Sequence, residues 1–236
     1  MRRARKHTAA IINPELVPAG RGLGRRRAPD PRDRRYAMRA VVPKRLPERD
    51  VRRNPGPVLD QGATNACVGH AWRAWMTSSP VMNKDPHPNP FEIYGRALQL
   101  DEWPDGDYDA GTSVRAGAKV MRERGRLTEF VWAADTADVI AFLISRGPVV
   151  LGTDWYDSMS DPLPAGTVKV EGEVAGGHAY LCYGYDADKR RFRCQNSWGL
   201  AWGEKGRFWI SRTDLERLIY GAGEACGALE LLQKCR

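Results

Sequence analysis

The chain has 236 residues, 42% of them hydrophobic and 28% charged, with 24 Gly, 16 Pro and a formal net charge of +8. That length supports one large domain or two small lobes around a real core, and the composition excludes a collagen, a disulfide-dense miniprotein and a fully disordered chain. No apolar run approaches the roughly 20 residues that span a bilayer, and the apolar stretch at residues 9–12 is far short of the roughly 7–15 residues of a secretion-signal core, so an intracellular protein without membrane contact is expected.

The charge is unevenly placed. Residues 1–44 carry 13 Lys/Arg against 3 Asp/Glu, whereas residues 45–236 carry 24 against 26. Pro14, Pro18, Pro29, Pro31 and Pro43 break the first segment, with Gly20, Gly22 and Gly24 between them. Without apolar periodicity it cannot build a core of its own. The expected organisation is therefore an extended basic arm at 1–44 and a folded domain at 45–236. Clustered Arg makes bidentate contacts with phosphate, so docking of the arm on nucleic acid or an acidic protein surface is expected, against the plainer alternative of a solvated tail.

Beyond the arm, helical patterns come first. After Asn65, an N-cap candidate, Val68, Ala71, Trp72, Trp75 and Met76 fall on one face of a helix that carries Cys67 in its first turn. A second helix is predicted from near Thr112 to Gly125, with Val114, Ala118 and Met121 inward. A third spans about 135–146 and stops at Gly147-Pro148. Strand signals follow at 148–152, 178–185, 191–196 and 206–210, with a turn at 186–189. Helices segregated from strands indicate an α+β fold, with two lobes and a cleft between them.

The five cysteines include no CxxC pair, and the four histidines no HExxH, so mostly free thiols and no structural zinc are expected. The chain has no GxxxxGK[ST] loop and no GxGxxG after a strand, and no cofactor is expected. Cys67 is the residue that stands out. A thiolate in the first helical turn is favoured by the unpaired N–H groups there, although a lone cysteine on an amphipathic helix is more often a small buried hydrophobe. Gln61 precedes it on the entering loop, where its carboxamide can donate to an oxyanion. His178 begins a strand after Gly176-Gly177, whose small residues leave room for an imidazole, and Asn196 has matching parity across the hairpin. An amide oxygen accepting from Nδ1–H would aim Nε2 at the thiol, and Trp198 would cover that bond.

Here the chain resembles the papain-like cysteine peptidases. Pro57-Val58-Leu59-Asp60-Gln61-Gly62 with Ala66-Cys67-Val68-Gly69-His70-Ala71 is similar to the family's segment from oxyanion glutamine to nucleophile. Gly177-His178-Ala179, leading to Gly184-Tyr185-Asp186, is similar to its histidine strand; Asn196-Ser197-Trp198-Gly199 with Trp202-Gly203-Glu204 is similar to its asparagine motif. The resemblance implies a helical lobe and an antiparallel β-barrel-like lobe with the site in the cleft. It also implies Cys67 as nucleophile, His178 as general base and acid, Asn196 as orienter and Gln61 as oxyanion donor. Asp109-Ala110-Gly111-Thr112-Ser113 stands where the family's substrate-pairing glycine loop would be, which makes Gly111, with Gly177 and Trp198, a candidate for contact with a peptide or protein substrate. Thr64 replaces the cysteine that the secreted members carry three residues before the nucleophile, and Val68 replaces their aromatic residue after it. The arm is too short for the family's large helical propeptide, so docking rather than inhibition is expected of it. The expected activity is peptide-bond hydrolysis by a thiolate–imidazolium pair through a thioester. An amidase or transpeptidase would use the same residues. The rival from another class is a structural or tethering protein, such as a phage virion component, that keeps the scaffold. Neither oligomeric state nor side-chain preference can be read from the sequence.

Overall fold

The structure, a computed structural model, describes residues 13–82, 86–101 and 110–230; Asp109, Cys235 and the first twelve residues of the arm lie outside the described residues. In chain order its elements are β1 (Val51–Arg52), α1 (Cys67–Thr77), α2 (Pro90–Leu100), α3 (Val114–Glu123), β2 (Leu127–Trp132), α4 (Thr136–Ser145), β3 (Val149–Tyr156), β4 (Val174–Asp186), β5 (Arg191–Gln195), β6 (Arg207–Ser211), α5 (Arg212–Gly221) and β7 (Glu224–Glu230). The sheet is antiparallel in the order β2-β7-β3-β4-β5-β6, with β1 pairing on β4. Among the described residues its two ends do not pair with each other, so the barrel-like lobe is an open sheet and not a closed barrel.

Local chemistry explains the helix starts. Asn89 accepts from the Phe91 N–H with Pro90 at the first helical position; Ser113, Asp135 and Ser211 cap α3, α4 and α5 in the same way. Only α1 begins without a side-chain cap: Ala66, not Asn65, holds that position, and Cys67 is the first helical residue.

The two central strands divide the interior. On β3, Val149 and Leu151 point into one core and Val150 into the other; on β4, Tyr180 and Cys182 oppose Ala179, Leu181 and Tyr183 in the same way. Period-two alternation thus separates a helical core under α1, α2 and α3 from a second core under α4 and α5. Strands buried on both faces read as continuous apolar runs, as these do.

The arm does not stand away from the domain. Asn13 donates its N–H to Ala175 O at 2.8 Å, and Leu23 and Met38 are fully buried members of the second core. Residues 22–26 are all buried between the loop at 111–113 and Gly177. A segment without periodicity makes no core of its own; this one joins the core of the domain.

Candidate active site

Cys67 opens α1 and is fully buried in the core under α1, α2 and α3. His178 lies near the start of β4, whose pairing with β3 sets Thr153 opposite it. Its ring is buried against Trp155, 4.8 Å away edge-on, and Trp198, 5.3 Å away. Asn196, just past the end of β5, reaches it across the hairpin: His178 Nε2 and Asn196 Oδ1 are 2.7 Å apart. This is the opposite ring assignment from the expected one, which put the amide on Nδ1. Strand parity decides which residues share a face, but the side-chain torsions of the histidine decide which ring nitrogen meets the amide. Here Nδ1 is the nitrogen left without a hydrogen-bond partner among the described residues.

Gln61 is brought in by a short backbone ladder. Its N–H donates to Ser197 O at 2.8 Å, and Gly199 N–H donates to Leu59 O at 3.1 Å, which ties the entering loop to the asparagine loop. Ser197 Oγ then donates to Gln61 Oε1 at 2.6 Å, so the carboxamide is held with its NH₂ turned toward the groove. Nε2 donates to Thr64 O at 2.7 Å, to Gly22 O at 3.1 Å and to Leu23 O at 3.3 Å. Trp198 Nε1 donates to the same Gly22 oxygen at 3.0 Å. A carbonyl of the arm is therefore seated between two side-chain donors.

The arm continues as a paired strand. Gly24 and Arg25 both donate their N–H to Gly177 O, at 3.0 and 2.9 Å. On the other side Thr112 N–H donates to Gly24 O and Arg26 N–H donates to Thr112 O, both at 2.9 Å, making a parallel bridge. Gly111, beside Thr112, and Gly177 thus flank a peptide backbone, and the loop is braced by Asp101, which accepts from Thr112 Oγ1 at 2.6 Å and Ser113 N–H at 2.7 Å. The approach requires glycine. At Gly24, with φ +113°, a Cβ would stand 2.2 Å from Asn65 O, and at Gly177 it would stand 2.1 Å from Arg25 O. A solvated tail does not describe this stretch, and Arg25 and Arg26, 3% and 1% exposed, are not among the arginines that could meet a phosphate.

Burial also governs the charge state. It pushes the Cys67 thiol up to about 12, against weaker lowering by backbone hydrogen bonds and the nearby Arg25 charge. It pulls His178 down to about 4, against the opposing Asn196 bond. In both groups burial favours the neutral form. His70, a second buried histidine, is also shifted down by burial and holds Ala66 O through Nδ1 at 2.9 Å.

Three contributors went unnoticed in the sequence. Ser197 was written inside the Asn196-Ser197-Trp198 motif, where a hydroxyl beside the glutamine loop could have been singled out. Trp155 and Asp101 had no local signal, because sheet pairing and loop packing alone bring them in.

The family model described as papain family cysteine protease matches residues 56–227, and the chain belongs to that family. It is a papain-like cysteine peptidase. Among solved structures it is similar to xylellain, a cysteine protease from Xylella fastidiosa, at 22% identity and a TM-score of 0.68, covering 91% of this chain and 99% of that one. It is also similar to procathepsin L 3 of Tenebrio molitor larval midgut (15%, TM-score 0.62, 89% and 75%) and to procathepsin B S9 from Trypanosoma congolense (14%, TM-score 0.60, 92% and 86%). No curated protein matches significantly. No helix among the described residues is long and apolar enough to cross a membrane.

Proposed function

We propose that the chain is an endopeptidase that hydrolyses peptide bonds through a thioester on Cys67, and that the form described here is latent because residues 22–26 fill its groove. The observation that carries the reading is the seated arm itself. A peptide carbonyl lies on Gln61 Nε2 and Trp198 Nε1, and its neighbours pair backbone to backbone with Gly177 and Thr112 on the two sides of the groove.

With the arm withdrawn, water returns to the groove and the desolvation that keeps Cys67 and His178 neutral falls away. His178 takes the thiol proton, held in plane by Asn196. The thiolate adds to the substrate carbonyl, forming a C–S bond, while the oxyanion is held by Gln61 and the Cys67 N–H. Collapse breaks the C–N bond, and the imidazolium gives its proton to the leaving amine. A water then adds to the thioester as His178 removes its proton. The C–S bond breaks, and the acid and the free thiol are released. The four described cysteines are free thiols, which fits a reducing compartment.

Labelling with an epoxide thiol inhibitor, followed by mass mapping, tests this. Full-length Gly24→Val protein, whose arm cannot be seated, is expected to be labelled at Cys67 alone and much faster than the parent chain; His178→Ala should slow that labelling. Equal, slow labelling of all cysteines in every variant would contradict the reading.

A further inference from the structure

The side chain of Arg25 leaves the arm and enters a built pocket beside the groove. Its Nη2 donates to Ala222 O at 2.6 Å, its Nε donates to Glu224 Oε1 at 3.3 Å, and its Nη1 stands 3.7 Å from Asp154 Oδ1. The sheet makes this pocket. Pairing of β3 with β7 puts Gly152 opposite Glu224, and pairing of β3 with β4 puts Asp154 opposite Gly177, the residue that holds the arm backbone. Gly152 is the opening: a Cβ there would meet Val114 Cγ2 at 2.7 Å, Arg25 Nε at 3.0 Å and Glu224 Oε1 at 3.2 Å. Three acceptors, two carboxylates and one backbone carbonyl, thus face three different nitrogens of one guanidinium.

We infer that this pocket, lined by Glu224, Asp154, Gly152 and the Ala222 carbonyl, selects peptide substrates carrying arginine, with the arm's Arg25 as its resident occupant. The inference rests on the peptidase reading above. The reason is what remains when the arm leaves. Glu224 is largely buried, its side chain 13% exposed, and desolvation raises its carboxyl, with Arg25 the strongest opposing influence. The nearby Arg115 is engaged elsewhere, paired with Asp33 and stacked over Trp132 at 4.8 Å. A substrate that brings a guanidinium restores the pairing. Leucine leaves the partly desolvated Glu224 and Asp154 without their guanidinium partner, and glutamate adds a further negative charge beside them. Lysine has the charge but one nitrogen, which cannot meet all three acceptors in their fixed directions.

The test uses full-length Gly24→Val protein and short peptides in which arginine, lysine, leucine or glutamate is moved through each position around the cleaved bond. At one position arginine should raise kcat/KM roughly 10- to 100-fold over leucine, with lysine between and glutamate lowest. Glu224→Gln should collapse the arginine-to-leucine ratio toward one, and the more exposed Asp154→Asn should lower it in part. Binding of the same peptides to full-length Gly24→Val/Cys67→Ala protein reads the pocket without turnover. Hydrolysis with no position favouring arginine, or an arginine preference that survives Glu224→Gln, would overturn the pocket. Binding that depends on arginine and Glu224, in a chain that cleaves none of the peptides, would uphold the pocket and overturn the peptidase reading. Absence of arginine-dependent binding would overturn the pocket outright.

Discussion

Gln61 holds the carbonyl oxygen of Gly22 at 3.1 Å, so the amide expected to stabilise a reacting oxyanion is occupied by the protein's own backbone. On the proposed reading, the same contact both marks a peptide-binding groove and closes it. Its consequences are measurable in the full-length chain.

Gly24→Val should raise turnover of a short peptide by at least about 10-fold over the parent chain, because no side chain fits within 2.2 Å of Asn65 O at φ +113°. Steady-state kinetics check this. Unchanged turnover would mean that the arm leaves the groove unaided, or does not obstruct it.

In the Gly24→Val background, Gln61→Ala should lower kcat by roughly 10²–10³, the usual loss for one oxyanion donor. Ser197→Ala should cause a smaller fall, since the Ser197 hydroxyl acts through Gln61 Oε1. Restoring a hydroxyl with Ser197→Thr should recover part of the loss. A rise in KM with kcat unchanged in Gln61→Ala would make that residue a ground-state contact only.

Stability should fall on both sides of neutrality. His178 titrates near 4 in the folded chain against an ordinary 6.5, so the unfolded chain binds a proton that the folded one refuses between those values. Its contribution is present above pH 6.5 and is lost as pH falls toward 4, roughly 3 kcal/mol at the limit. His70 acts in the same direction. Cys67, raised to about 12 from 9.0, contributes below pH 9 and loses that contribution as pH rises toward 12. Urea unfolding across this range should show both slopes in the parent chain. On the proposed reading, unseating the arm with Gly24→Val should expose both groups to water and flatten the slopes.

Much of this arrangement was legible before any coordinates. The stripe from Val68 to Met76 marks α1, and the capped patterns after Ser113 and Asp135 mark α3 and α4. Parity alone put His178 and Asn196 on one face. The Asn89-Pro90 start of α2 and the Ser211–Asp214 cap of α5 were also written in the chain, but short helices amid proline and strand signals are easily passed over. β2 and β7 carry weak patterns because each needs the other and β3 to be a strand at all. Two features had no local signal. Which imidazole nitrogen meets Asn196 depends on a side-chain rotation, and the seating of residues 22–26 depends on glycines whose value appears only against Asn65 and Gly177.

The most direct measurement compares full-length Gly24→Val with Gly24→Val/Cys67→Ala on one peptide, following both product release and protein mass during turnover. The account predicts hydrolysis and a transient acyl adduct on Cys67 in the first protein, and neither in the second. Hydrolysis at a comparable rate without Cys67 would contradict it.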